Sequence, residues 1–442
     1  MNQRKEAEGI IQAVLEASNP ELLVAKAVAE LPPCEGRTIL LAVGKAAFAM
    51  ALAALTTPGF TAHRAMIVTK YGHANEKQLS ALPESIRTIL HIREAGHPIS
   101  DANSYRAAEE AIAMVQNLTA NDRVVLLLSG GGSALFEKPL LSADEMEDIN
   151  QQLLSSGADI GEINTIRKRL SAVKGGRFAQ LCAPAQVITI ALSDVLSNAP
   201  DQIASGPACP DPTTCAEAKR IVTHYALNLS PQAQRLLDSE TPKELPNASI
   251  QIIGGMTFAL AAAASACAQY GYQVLLFQPH LTCQAREAGR FFGYLARKAS
   301  RQGRKLALVA GGETVVNLGR HHGLGGRNQE MALAASLVLQ GVPGVCFFSL
   351  GTDGTDGPTD AAGGMVDGDT VRRIAASDES TAQESLRIHD AYHALKAADG
   401  LLITGPTGTN VNDVCVALVD VGRKGNRSGK TMEEQLKSCI QD

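Results

Sequence analysis

Short runs of β-branched and aliphatic residues alternate along this chain with longer segments whose apolar positions recur at helical spacing. A continuous apolar run bounded by turn residues marks a strand covered on both faces, as in a parallel sheet flanked by helices. Residues 37–43, 65–69, 88–92, 123–128 and 186–192 fit that pattern in the first half. Residues 250–253, 273–277, 305–310 and 345–350 repeat it in the second. Helices are predicted over 46–55, 101–117 and 282–300, and beyond Arg327, where Met331, Ala334, Leu337 and Val338 share one face. The alternation predicts two Rossmann-like α/β/α domains with mostly parallel sheets and an interdomain cleft. The proline-bearing stretch 239–248 reads as the linker, which sets a larger domain at 1–240 and a second at 241–442.

Composition removes several function classes. Among 442 residues, 45% are hydrophobic and 19% charged, which excludes a largely disordered chain. Forty Lys and Arg against forty-five Asp and Glu leave no basic footprint for nucleic acid or an acidic membrane. The nine cysteines, Cys439 the last of them, are scattered and contain no C-x-x-C pair, so reduced thiols in a cytoplasmic protein are expected. The first residues are polar with no apolar signal core, and 258–268 is too short to span a bilayer. The expected partner is a small molecule.

Ligands of open α/β sheets sit beyond the carboxyl ends of the strands. Several predicted strand ends here carry glycine-rich polar loops. Ser129-Gly130-Gly131-Gly132-Ser133 follows a buried strand, and consecutive glycines let backbone N–H groups converge on an anion. A following helix N-terminus would add positive potential. Gly44-Lys45 ends another strand, where the ammonium can offset the charge of a transferring phosphoryl group. Five cations, Arg167, Lys168, Arg169, Lys174 and Arg177, crowd one segment and suggest a polyanion such as a nucleotide triphosphate, or else a solvated face. Asp194 follows a strand as a base, a Mg²⁺ ligand or a turn residue, with the turn 203–207 expected to face it.

In the second half, Gly311-Gly312-Glu313 and Asn317 precede Gly325-Gly326-Arg327, and a guanidinium among glycines suits bidentate binding of carboxylate or phosphate. The loop 351–360 alternates acids with glycine, offering Asp353, Asp356 and Asp360 to Mg²⁺. His321-His322 has no partner at metal-ligand spacing and reads as solvent-exposed. The stretch 425–431 is one residue short of a Walker A loop, and no strict G-x-G-x-x-G occurs.

In order along the chain, GKA at 44–46, AGHP at 95–98, LSGGGSAL at 128–135, NTIRK at 164–168, LSDV at 192–195, IASGP at 203–207, GGET at 311–314, GGRNQE at 325–330 and GTDGPTDAAG at 354–363 resemble the glycerate 2-kinase family with its MOFRL C-terminal part. The resemblance implies ATP- and Mg²⁺-dependent phosphorylation of D-glycerate at its 2-hydroxyl, in a cleft between two domains. It matches Lys45 and Arg327 to catalytic cations. Asp194 is expected to assist, with Ser129, Gly130, Gly131, Gly132, Ser133, Arg167, Lys174, Glu313 and Asn317 binding substrate or nucleotide. Leu196-Ser197-Asn198 stands where the family pattern has a Gly-Asp pair. Relatives carry the name hydroxypyruvate reductase, so an NAD(P)H-dependent reductase stays open, as do a non-catalytic metabolite-binding protein and a homodimer.

Overall fold

A computed structural model describes residues 2–195, 199–277, 280–377 and 381–422. Leu196-Ser197-Asn198, the Walker-like stretch 425–431 and Cys439 lie outside the described residues. The chain divides into two compact units: one holds 14–259 with 406–412, the other 1–13, 260–405 and the chain from 413.

In the first unit, six strands run parallel: β1 (Thr38–Val43), β2 (Arg64–Lys70), β3 (Leu90–Ala95), β4 (Arg123–Leu128), β5 (Gln186–Leu192) and β6 (Ala248–Gly254). Their order is β3-β2-β1-β4-β5-β6. Alternate side chains explain why β1 carries no polar position after Thr38. Leu40 and Ala42 pack with Ala47, Met50 and Ala51 of the helix Ala47–Thr56. Ile39, Leu41 and Val43 join Ala107, Ala108 and Ala111 of the helix Ala102–Met114 in a separate core. Each fully buried Leu or Ile contributes about 1.5–3 kcal/mol. Because β6 pairs with β5, the chain remains in this sheet past the stretch 239–248 that the sequence suggests as a linker.

The second unit holds β7 (Gln273–Leu276), β8 (Leu306–Gly312), β9 (Val345–Gly351), β10 (Gly363–Asp367), β11 (Leu401–Leu402) and β12 (Asp413–Val419), ordered β11-β10-β9-β12-β8-β7. This sheet is mixed rather than mostly parallel. Only β7 and β8 pair in parallel, because β12 inserts antiparallel to both β8 and β9, and β10 turns back on β9. The helix Arg327–Leu339 is buried on nearly all sides rather than along one stripe. Its neighbour, the helix Ala285–Arg301, approaches closely through glycine. A Cβ at Gly289 would lie 2.1 Å from the Met331 carbonyl oxygen, and one at Gly293 would lie 2.9 Å from Val338 Cβ. Among the described residues no helix is long and apolar enough to cross a membrane.

The cationic segment is mostly internal. Lys168 and Arg169 are 1% and 0% exposed. Lys168 Nζ donates to Asp201 at 2.7 Å and to Asp211 at 3.1 Å, and Arg169 meets Glu240 at 3.1 Å. Arg177 donates to the carbonyls of Lys168, Arg169 and Ser171. These three cations therefore tie the helix Ile160–Arg169 to its surroundings and do not present a polyanion site. Lys168→Ala would strand two carboxylates, so a loss of about 3–5 kcal/mol is expected. Denaturant unfolding measures it, and a loss below about 1 kcal/mol would show that the pair holds nothing together.

Candidate active site

The order of the parallel sheet reverses between β1 and β4, and such a switch point is where open α/β sheets place ligands. Gly44-Lys45 leaves β1 and the triple-glycine loop leaves β4 at this point. The two loops touch. Lys45 N–H donates to the Gly130 carbonyl at 2.9 Å and Ala46 N–H to Ser129 Oγ at 3.1 Å. Gly44 has φ 128°, and a Cβ there would sit 2.2 Å from Ser129 Oγ. No other residue type fits that crossing.

Gly130 and Gly131 are equally enclosed. A Cβ on Gly130 would lie 2.5 Å from Asp194 Oδ2, so the Asp194 carboxylate rests directly on the loop. A Cβ on Gly131 would lie 3.0 Å from His97 Nε2 and 3.3 Å from Lys45 Cγ. Lys45, His97, Asp194 and the loop thus form one cluster. Asn412 Nδ2 also joins it, donating to the Asp194 carbonyl at 3.0 Å. The helix that follows the loop is only Gly132–Leu135, too short to supply the dipole that the sequence suggested.

The turn 203–207 faces the glycine loop, with Ala204 against Gly132. Ser205 Oγ donates to Asn164 Oδ1 at 3.1 Å, which makes Ser133 the donor in its 2.9 Å bond to Ser205. His97 was quoted in a motif but given no role, and the structure puts it beside Lys45. Burial, then Lys45, Lys70 and His73, push its imidazole down to about 4. It is therefore neutral near pH 7 and able to donate and accept.

A cavity of about 230 Å³ opens beside the loop, walled by His97, Ser133, Glu137, Arg167 and Lys174 among others. Of the five cations in the basic segment, only Arg167 and Lys174 reach it. Arg167 Nε donates to Asn150 Oδ1 at 2.6 Å, and Lys174 Nζ donates to Glu137 Oε2. Burial lowers both cations' affinity for a proton, with Glu137 opposing it.

In the second unit, Arg327 opens its helix after Gly326. Its Nε and a terminal nitrogen clasp Asp413 at 2.6 and 3.1 Å, while another nitrogen meets Glu313 at 3.1 Å. Burial opposes the Arg327 charge, but the Asp413 pair outweighs it and raises its pKa. Burial also pushes Asp413 up to about 6 against the pull of Arg327. Asp413 opens a strand that holds no other charged residue, and sequence reasoning missed it. Asn317 is exposed on the strand-end segment, apart from these bonds.

The acidic loop does not form a metal cage. Asp356 accepts from the Asn328 and Gln329 backbone N–H groups at 3.1 and 2.8 Å and from both side-chain amides, so it anchors the start of the Arg327 helix. Asp353 closes a turn onto Thr355 N–H at 3.0 Å, and Asp360 accepts from Tyr392 at 2.8 Å. Among the described residues no three His, Cys, Asp or Glu side chains gather around a metal position. His321 and His322 are exposed, as expected.

Two measurements follow from these environments. The folded imidazole of His97 titrates near 4 and the unfolded one near 6.5, so the unfolded chain binds the extra proton between these values. Stability therefore falls as pH drops from about 6.5 toward about 4. His97→Gln should lose less between pH 7 and pH 5 in urea titrations, and equal losses would refute the assignment. Asp413→Asn keeps the size of the side chain but leaves the half-buried Arg327 charge with only the exposed Glu313 as its carboxylate partner among the described residues. A loss of about 2–4 kcal/mol is expected, discounted for the partial exposure of Arg327, with calorimetric unfolding as the check.

The chain matches the domain of unknown function DUF4147 over residues 6–238 and the MOFRL family over 306–413. It is 44% identical to a D-glycerate 2-kinase of Thermotoga maritima, over 94% of this chain and 98% of that one. A relative from Agrobacterium vitis, provisionally named a hydroxypyruvate reductase, is 38% identical over 93% of each chain. The crystal structure of glycerate kinase from Thermotoga maritima superposes with a TM-score of 0.87 at 43% identity, covering 95% of this chain and 99% of that one. With the clustered glycine loop and Lys45 in one unit and the clasped Arg327 in the other, these matches place the chain in the glycerate 2-kinase family.

Proposed function

We propose that this chain transfers the γ-phosphoryl group of ATP to the 2-hydroxyl of D-glycerate, giving 2-phosphoglycerate and ADP. The observation that carries the proposal is 44% identity to a D-glycerate 2-kinase across nearly the whole of both chains. The chemistry suits the residues. The 2-hydroxyl oxygen attacks the γ-phosphorus, loses its proton, and the bond to the ADP oxygen breaks. Phosphoryl transfer is mostly positioning and charge stabilisation. Lys45 and the glycine loop Ser129–Ser133 would take phosphate oxygens. Arg327 would use the N–H groups left over from Asp413, and displacing the exposed Glu313 would free one more. Asp194 rests on the loop and would serve as the proton acceptor or as a Mg²⁺ ligand. Arg167, Lys174 and Asn317 are further candidates for substrate or nucleotide contact.

Mg²⁺ typically keeps several waters and binds through one or two carboxylates plus substrate phosphates, so a kinase needs no ready-made cage. Asp194 beside the glycine loop fits that demand, while the Asp356 oxygens accept from Asn328 and Gln329 at the start of a helix. Mg²⁺ bound there would neutralise phosphate charge. Asp353, which accepts from the Thr355 N–H and hydroxyl, and Asp360, which accepts from Tyr392, are candidates of lower rank. The eight described cysteines are free thiols, which suits a reducing cytoplasm.

Purified protein with D-glycerate, ATP and Mg²⁺ should yield 2-phosphoglycerate, resolved from the 3-isomer by enzymatic coupling. Lys45→Ala and Arg327→Ala should each lower kcat by about a hundredfold or more. A loss under about tenfold in both, roughly 1.4 kcal/mol of barrier, would remove them from catalysis. NADH or NADPH oxidation by hydroxypyruvate without ATP turnover would favour the reductase instead.

A further inference from the structure

We infer that the cavity beside the glycine loop seats the nucleoside part of the phosphate donor, an assignment that rests on the kinase reading. Size is the first ground. A cavity of about 150 Å³ holds a benzene ring, so about 230 Å³ accommodates a purine and far exceeds a three-carbon acid. Its walls are the second. Ile99, Met146 and Leu154 line it, and Ile99 and Leu154 are 71% and 66% exposed. Glycerate, polar on every carbon, offers nothing to that apolar wall, whereas a heterocycle presents a flat apolar face.

The third ground is an unanswered acceptor. Glu137 also lines the cavity and is 3% exposed. One of its oxygens is held by Lys174, but Oε1 has no hydrogen-bond partner among the described residues. Buried polar atoms are nearly always paired, so this oxygen can take a ligand donor such as a ribose hydroxyl or an exocyclic amine. Connectivity is the fourth. Gly131 and Ser133 belong to both the cavity wall and the glycine loop, so a nucleoside seated here directs its phosphates onto the loop and Lys45.

The test uses the full chain and Leu154→Asp, an exposed position whose change spares the core. Calorimetric titration with ATP alone should show the dissociation constant rising by about tenfold, and the KM for ATP should rise with it. The KM for D-glycerate should stay within about twofold. Adenosine should compete with ATP and not with D-glycerate. Unchanged ATP affinity in Leu154→Asp, or a rise in the KM for D-glycerate in its place, overturns the assignment. Weakened ATP binding in a protein that never turns over glycerate would sink the kinase reading and leave the nucleotide seat standing.

Discussion

Two backbone loops leaving neighbouring parallel strands can share hydrogen bonds only if no side chain stands at the crossing. Gly44 and the triple-glycine loop meet that requirement, and the rest of the site depends on it. Their contact holds Lys45 against Gly131 and lets Asp194 lie on Gly130. An added methyl at Gly44 would collide with Ser129 backbone and side chain together, and the backbone cannot yield without moving the end of β4. Strand order converts that local contact into a site, because the sheet reverses direction of growth at this pair of strands.

Much of this was legible in the sequence because the central strands of the first sheet are covered on both faces. A strand such as 123–128 must then be apolar without interruption, and such a run ending in glycines has few other readings. The mixed second sheet was less legible. Apolar runs record burial, not direction, so the antiparallel entry of β12 between β8 and β9 leaves no trace in the pattern. β10 begins with Gly363-Gly364, which reads as a turn. Here the glycines admit close neighbours instead: a Cβ on Gly363 would lie 2.0 Å from the Ser349 carbonyl oxygen.

Charged residues were the least transparent. A cluster of cations looks the same in sequence whether it faces solvent, a ligand or the core. Lys168 and Arg169 are buried because Asp201, Asp211 and Glu240, distant in sequence, supply their counter-charges. Asp356 reads as a metal ligand from its acidic, glycine-spaced surroundings. In the fold it caps a helix whose first residue is Arg327, which is a positioning role. Asp413 escaped notice because it opens an otherwise ordinary strand. Yet two of the Arg327 nitrogens are committed to it.

The clasp around Arg327 constrains how the residue can act. A guanidinium has five N–H donors, and Asp413 fixes its plane through a fork of two. Such a group is oriented before any anion arrives, so little side-chain entropy is lost on binding. Glu313 is the more exposed of its two partners, at 55% against 9% for Asp413. An incoming carboxylate or phosphate can therefore replace Glu313 while Asp413 keeps the plane fixed. Strand order alone is shared with dinucleotide-dependent oxidoreductases and cannot choose between the chemistries. A hydride donor needs a glycine fingerprint for its pyrophosphate, and no strict G-x-G-x-x-G occurs in this chain. Phosphoryl transfer rests on positioning and charge stabilisation, a demand that a glycine loop beside lysine and a preoriented arginine both suit.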